Sequence, residues 1–298
     1  MALDNNMPTK TIIKQTWLSK INQGGTTEAL ALSAIEKGQI LSHYVQKSTL
    51  LNYATGTSLI DANKFSATFI KSQGVKLTEK STLGTGDIEK FNVGENVTFE
   101  WKVPLKVAQG LYGSALNDQL LTLASDKLDR ATDKYLKMFE EDGYKELAKT
   151  TSNTTITASE SASSIKTKLI NEATKLTKMR DEAEGVDLIS KDDIIITVSP
   201  EIADKLAELG NNGNGVIKYF EGGQYVMDVL GGYKIQVSPL LPQNVDAIIA
   251  PNWVSAGAIQ IVAANIFKLN GTEDLAIYYE AKSLFGVIYP KAVTKITH

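Results

Sequence analysis

The sequence predicts an α+β fold, and three observations carry it. There is one long amphipathic helix, a pair of alternating strands around a glycine-dotted loop, and a C-terminal half of short apolar runs punctuated by glycine pairs. The helix runs from Asn117 to Lys149. Leu116, Leu120, Leu123, Ala124, Leu128, Ala131, Tyr135, Met138, Phe139 and Leu147 recur at steps of three and four, which draws one apolar stripe along it. The opposite face carries Asp126, Lys127, Asp129, Arg130, Asp133, Lys134, Lys137, Glu140 and Glu141. Asp126–Arg130, Asp133–Lys137 and Glu141–Lys145 are acid-before-base pairs four apart, each adding a few tenths of a kcal/mol. Such a helix is roughly 50 Å long at about 1.5 Å per residue, well beyond the usual three turns. Gly143 costs about 1 kcal/mol against Ala and is where the helix is expected to bend or end.

Before the helix, Met1 to Gln23 mixes Lys, Asn, Gln and Thr with scattered Ile and Leu, and reads as an arm with no core of its own. Thr26 or Thr27 caps a helical stretch that continues through Ile40, Leu41, Tyr44 and Val45, with Gly38 against its being unbroken. Tyr53 to Thr57 reads as an extended link. Phe65 to Leu77 and Phe91 to Val103 alternate as strands around the charged loop Thr78–Lys90, forming a long hairpin that leaves its domain and needs a partner surface. Pro104 stops the second strand and the long helix follows.

After it, the Ser/Thr-rich stretch Thr150–Thr157 reads as a connector and boundary. Ala162 to Ala183 is helical, and Asp192 to Val198 is a buried strand. Ser199-Pro200-Glu201 then gives an N-cap, a proline at the first helical position and an acid in the first turn of a helix ending at Gly210. Gly222-Gly223 and Gly231-Gly232 suit hairpin turns between strands at Val216–Phe220, Gln224–Leu230 and Tyr233–Val237. Short apolar runs follow at Ala247–Pro251, Ala258–Val262, Ile266–Leu269, Leu275–Ala281, Phe285–Tyr289 and Ala292–Ile296.

Composition narrows the chemistry. The chain has 298 residues, a formal net charge of −3 and no cysteine, which excludes disulfides, thiolate nucleophiles and cysteine metal sites. It has no apolar run long enough for a membrane span, no secretory signal and no dense basic tract of the kind that wraps nucleic acid. Its two histidines, His43 and His298, lack companions at triad or metal-ligand spacing, and Gly84-Thr-Gly86 lacks the remainder of a phosphate-binding loop. Carboxylates such as Glu140-Glu141-Asp142 and Asp192-Asp193 single out no acid/base pair. No enzyme, metal or cofactor emerges. The arm, the hairpin and the long helix instead ask for burial that other subunits would supply.

In this order the elements resemble the major capsid proteins of tailed double-stranded DNA bacteriophages, whose fold is named after the Hong Kong ninety-seven coliphage. Gln39–Leu51 resembles the helical segment after the N-arm, Phe65–Val103 the E-loop hairpin and Leu116–Leu147 the spine helix of the peripheral domain. Ile196-Thr-Val-Ser-Pro-Glu-Ile202 resembles the strand-to-helix junction of the axial domain. Gly232–Pro239 is similar to a later strand of that domain, and Phe285–Val293 to the usual C-terminal ending.

The resemblance implies an arm and helical segment over 1–60, the E-loop hairpin over 61–103, a peripheral domain from 104–150 and 256–286, and an axial domain from 151–255 and 287–298. The long helix would then pack its stripe on the sheet formed near Ile259–Ala281. The resemblance also implies a subunit that self-assembles as hexamers and pentamers into an icosahedral head around double-stranded DNA. Its partners would be a portal and a scaffolding protein, its place the virion, assembled in the bacterial cytoplasm without a membrane. No large scaffolding domain is expected at the start of the chain. Lys76, Lys80, Asp87, Glu89, Lys90, Phe99 and Trp101 are the expected inter-subunit contacts. An encapsulin-type nanocompartment shell is the alternative with the same fold, and the start of the chain does not look like the cargo-holding helix of such shells. A soluble α+β enzyme with an unrecognised carboxylate site is the second alternative.

Overall fold

The computed structural model describes residues 9–22, 30–55, 66–71, 96–111, 118–157, 159–181, 186–209, 215–219, 225–268 and 275–298. Its helices are α1 (Thr9–Asn22), α2 (Ala34–Val45), α3 (Asp118–Leu147), α4 (Ala162–Thr177) and α5 (Pro200–Ala207). Two larger sheets organise the chain. The first has four strands in the order β1 (Ala54–Thr55), β13 (Ser255–Lys268), β14 (Leu275–Val287), β4 (Leu105–Leu111). The second has seven, in the order β5 (Asn153–Thr155), β15 (Thr294–Thr297), β12 (Val245–Pro251), β8 (Ile194–Val198), β11 (Tyr233–Val237), β10 (Tyr225–Leu230), β9 (Gly215–Tyr219). Two antiparallel pairs stand apart: β2 (Ser66–Ile70) with β3 (Asn96–Glu100), and β6 (Arg180–Asp181) with β7 (Val186–Asp187).

The long helix lies against β14, as its stripe requires. Tyr135 donates a hydrogen bond to Ser283 Oγ at 2.9 Å, and Phe139 meets the Phe285 ring edge-on at 6.0 Å. Leu121, Ala124, Leu128, Leu136, Tyr144 and Leu147 are buried with them, whereas Leu123 and Met138 are 44% and 43% exposed. Position 117 and Leu116 lie outside the described residues. The Asp126–Arg130 and Asp133–Lys137 pairs form at 2.8 Å each, but Lys145 pairs with Asp142 at 3.6 Å. The helix does not end at Gly143: it continues to Leu147. A Cβ at position 143 would fall inside the Leu50 side chain, so the missing side chain lets the segment after α2 press directly on the helix backbone. Close packing is the reason for this glycine.

Several sequence expectations change here. Residues 9–22 are not a coreless arm. Ile12, Ile13 and Trp17 of α1 are fully buried against α3, and Trp17 Nε1 donates to Leu30 O at 3.1 Å. Their spacing among Lys and Thr residues hides the apolar face. Trp17→Ala is therefore expected to cost about 3–5 kcal/mol in chemical denaturation, where an arm outside the core would lose almost nothing. Ser33 caps α2, accepting from Glu36 N at 3.3 Å while its own N–H donates to Glu36 at 2.7 Å, a reciprocal capping box. The helix runs unbroken through Gly38, and Thr26 and Thr27 lie outside the described residues.

Strand β4 separates Pro104 from the long helix, so the helix does not follow the hairpin directly. The apolar runs at 258–262 and 266–268 are one strand, β13, and those from 275 and 285 enter one strand, β14. The two are paired from Ser255↔Val287 to Lys268↔Leu275 with one register shift between Ile261 and Ala263. The Ser/Thr-rich stretch is not a free connector, because Asn153–Thr155 pairs in parallel with β15 as an outer strand of the seven-stranded sheet.

In the seven-stranded sheet, every residue of β8 is buried, between antiparallel β12 and parallel β11. Continuous β-branched residues suit a strand covered on both faces. Helices α4 and α5 pack on β12. Ser199 caps α5, accepting from Ile202 N at 3.3 Å with Pro200 at the first helical position, as predicted. Gly231 and Gly232 take φ of 61° and 89° in the turn from β10 to β11. Gly210 and Gly222-Gly223 lie outside the described residues.

Candidate assembly surface

The hairpin stem is the feature that sequence singles out for contact between subunits. Its strands pair antiparallel from Ser66↔Glu100 to Ile70↔Asn96, with Phe69 and Phe99 rings 5.8 Å apart and tilted. Phe99 rests on the backbone of Gly286, where a Cβ would strike its ring. A cavity of about 290 Å³ lies beside it, lined by Leu147, Thr150, Phe285, Val287, Pro290 and Val293. Trp101 is half-buried, with Lys282 Nζ 4.7 Å from the ring centroid, and its Nε1–H is buried without a hydrogen-bond partner. Phe99 and Trp101 thus both make contacts within their own chain. Lys76, Lys80, Asp87, Glu89 and Lys90 lie outside the described residues.

Past Trp101 the stem is tied twice. Lys102 N donates to Ser283 O at 2.8 Å, and Lys102 Nζ pairs with Asp142 of α3 at 2.8 Å. The hydrogen bond from Lys102 outweighs partial burial and holds the Asp142 carboxyl below its ordinary value. A carboxyl with a lowered folded-state value stabilises fully above its unfolded value and loses that contribution as pH falls through the folded one. The Asp142→Asn variant should therefore be less stable than wild type at neutral pH, by about 1 kcal/mol or less for so exposed a pair. The difference should shrink and vanish as pH falls through and below the ordinary carboxylate range, read in urea titrations at a series of pH values.

Behind the stem, a buried polar network joins α3, the segment after α2 and the seven-stranded sheet. Glu140, placed on the solvated face by its sequence position, is buried and accepts from Ser48 Oγ at 2.6 Å and Leu50 N at 3.2 Å. Tyr144 donates to Thr49 Oγ1 at 2.7 Å. Gln236 Nε2 donates to Thr49 O and to Thr197 Oγ1, each at 2.8 Å. The Tyr53 hydroxyl lies 2.5 Å from Thr197 Oγ1 and within hydrogen-bond reach of Ile195 O and Ile248 O. Burial pushes the Tyr53 and Tyr144 hydroxyls well above their ordinary values, which keeps both neutral donors. Each group in this network hydrogen-bonds another part of the chain, so the network holds the fold together. Sequence reasoning missed it because Ser48-Thr-Leu-Leu51 becomes polar glue only when Glu140 turns inward.

Among the described residues, no group of three or more His, Asp or Glu converges to hold a metal ion, and no helix is long and apolar enough to cross a membrane. In β4, residues 105, 106 and 108–110 are exposed.

No protein-family model matches the chain, and no curated protein is similar to it in sequence. Solved structures are similar in fold. The capsid of cyanophage P-SCSP1u superposes with a TM-score of 0.59 at 11% identity, over 80% of this chain and 84% of that one. The mature capsid of bacteriophage PhiM1 gives 0.54 at 10% identity, over 79% and 82%. The virus-like particle from Pyrococcus furiosus gives 0.54 at 12% identity, over 95% and 97%. What the chain shares with these shells is an α+β capsid fold of the Hong Kong ninety-seven type.

Proposed function

We propose that this chain is a shell subunit, the major capsid protein of a tailed bacteriophage, and that it self-assembles as hexamers and pentamers into an icosahedral head around double-stranded DNA. The carrying observation is the fold likeness to two phage capsids over about four fifths of the chain. On this reading its work is structural, not catalytic. The four-stranded sheet with α3 is the peripheral domain (104–150 and 256–286), and the seven-stranded sheet is the axial domain (151–255 and 287–298). The arm and helical segment (1–60) brace α3, and the hairpin (61–103) reaches a neighbour. A net charge of −3 fits an inner surface that encloses DNA without gripping it. Portal and scaffolding proteins are the partners, and the virion, built in the host cytoplasm, is the location.

A second reading, an encapsulin-type nanocompartment, keeps the fold and changes the contents. One observation favours it: α1 puts a helix where the sequence showed only an arm. Sedimentation of the purified protein, followed by assay of the particles for nucleic acid and for co-purifying protein, separates the two. Particles formed with the phage's other head proteins and holding nuclease-protected DNA support the first reading. Particles holding an enzyme and no DNA support the second, and a species that stays at 32.4 kDa contradicts both.

A further inference from the structure

Among the described residues, the two larger sheets end in four outer strands: β1 and β4 on one, β5 and β9 on the other. An outer strand presents a row of unpaired N–H and C=O groups, and folded proteins blunt such rows with short strands, bulges, prolines or charges. Two of the four are blunted by their length: β1 has two residues and β5 has three, while β9 has five, carries Lys218, and pairs with a β10 that shifts register between Met227 and Val229. β4 is different. It has seven residues with no proline, and its ladder to β14 runs without a shift from Leu105↔Ala281 to Leu111↔Leu275. Lys106 is its one charged residue. Val103 is 82% exposed just before it, and Leu105 is 46% exposed at its start.

We propose that the outer edge of β4 pairs antiparallel with β4 of a second copy, about a twofold axis through Ala108. That register uses all seven residues: Leu105 faces Leu111, Lys106 faces Gly110, Val107 faces Gln109, and Ala108 faces itself. Centres at Val107 or Gln109 leave end residues unpaired, and a centre at Lys106 sets two ammonium groups face to face, which is destabilising. The self-complementary register carries no like-charge pair, and the open edge of one copy is the matching edge for the other. The product is one continuous sheet with four strands from each copy. This contact goes beyond the shell reading, which names no strand edge.

The chain's lack of cysteine makes the test direct. On the axis, side chains at 108 in the two copies lie about 4.5–5.5 Å apart at their β-carbons, and a shift of the paired strands by about 1 Å or less brings them to disulfide spacing. Ala108→Cys, treated with a mild oxidant, is expected to cross-link most chains into covalent dimers, and Gln109→Cys to cross-link at least tenfold less. Both positions are exposed, so folding should be unchanged by circular dichroism. As a second arm, Ala108→Lys and Ala108→Glu should each weaken pairing, with an equimolar mixture of the two restoring it in sedimentation velocity. Equal cross-linking at 108 and 109, or no restoration on mixing, overturns the proposal. Cross-linked dimers that never close into shells would sink the shell reading and leave the edge contact standing. Shells that form without cross-linking at 108 would do the reverse.

Discussion

Glu140→Ala is expected to lower stability by about 2–4 kcal/mol, a large loss for a residue that the helical pattern places among solvated charges. Removing the carboxylate leaves the Ser48 hydroxyl and the Leu50 N–H buried without their acceptor. Each unsatisfied buried donor costs about 1–3 kcal/mol. Glu140→Gln keeps an acceptor oxygen at the same place and should lose about half as much. The two variants, compared by urea denaturation, separate the loss of an acceptor from the loss of a charge. A loss below about 0.5 kcal/mol for Glu140→Ala would show that the segment after α2 is not held through this group. The effect should reach α1 as well, since Leu30 and Trp17 pack in the same core as Leu50 and Tyr53.

The second large effect falls on the hairpin. Gly286→Ala places a methyl group where the Phe99 ring now lies, so the stem must lift from β14 or Phe99 must turn away. Overpacking of this kind costs about 1–3 kcal/mol. Most of that loss should appear as displacement of β2–β3, because the stem's other ties are few: the Lys102–Asp142 pair, the bond from Lys102 N to Ser283 O, and the contacts of Lys282 with Trp101 and of Lys71 with Tyr289. The seven-stranded sheet should be untouched. Assembly should fall by tenfold or more while the melting profile changes little, read by sedimentation and calorimetry on the same samples. Phe99→Ala combined with Gly286→Ala should restore part of the packing. Unimpaired assembly of Gly286→Ala would show that the hairpin's direction is not set by this seat.

The elements that sequence reveals and those it hides differ for physical reasons. The long helix is legible because a 3.6-residue period persists over its whole length, and α5 because Ser199 and Pro200 announce its start. Strands β13 and β14 are broken into pieces in the sequence because one of their faces is mixed: Gln260, Asn265, Glu280 and Lys282 interrupt the apolar runs without interrupting the ladder. β4 is hidden because most of its residues are exposed, so no alternation between inside and outside is written into it. β5 is composed of Asn and Thr, residues that serve a linker equally well. α1 is hidden because its buried residues need α3 and Leu30 to make a core. Gly143 and Gly286 carry the same lesson: each is explained by what rests on it, Leu50 in one case and Phe99 in the other.

Contact of Lys76, Lys80, Asp87, Glu89 and Lys90 with a neighbouring subunit is a proposal that follows from the shell reading, whereas Phe99 and Trp101 hold the stem to their own chain.

The shell reading meets its most direct test in electron microscopy of the purified protein, expressed alone and with a scaffolding partner. The account predicts closed icosahedral shells built of pentameric and hexameric capsomers. A monodisperse 32.4 kDa monomer under both conditions, with residues 66–100 resistant to protease, would contradict it.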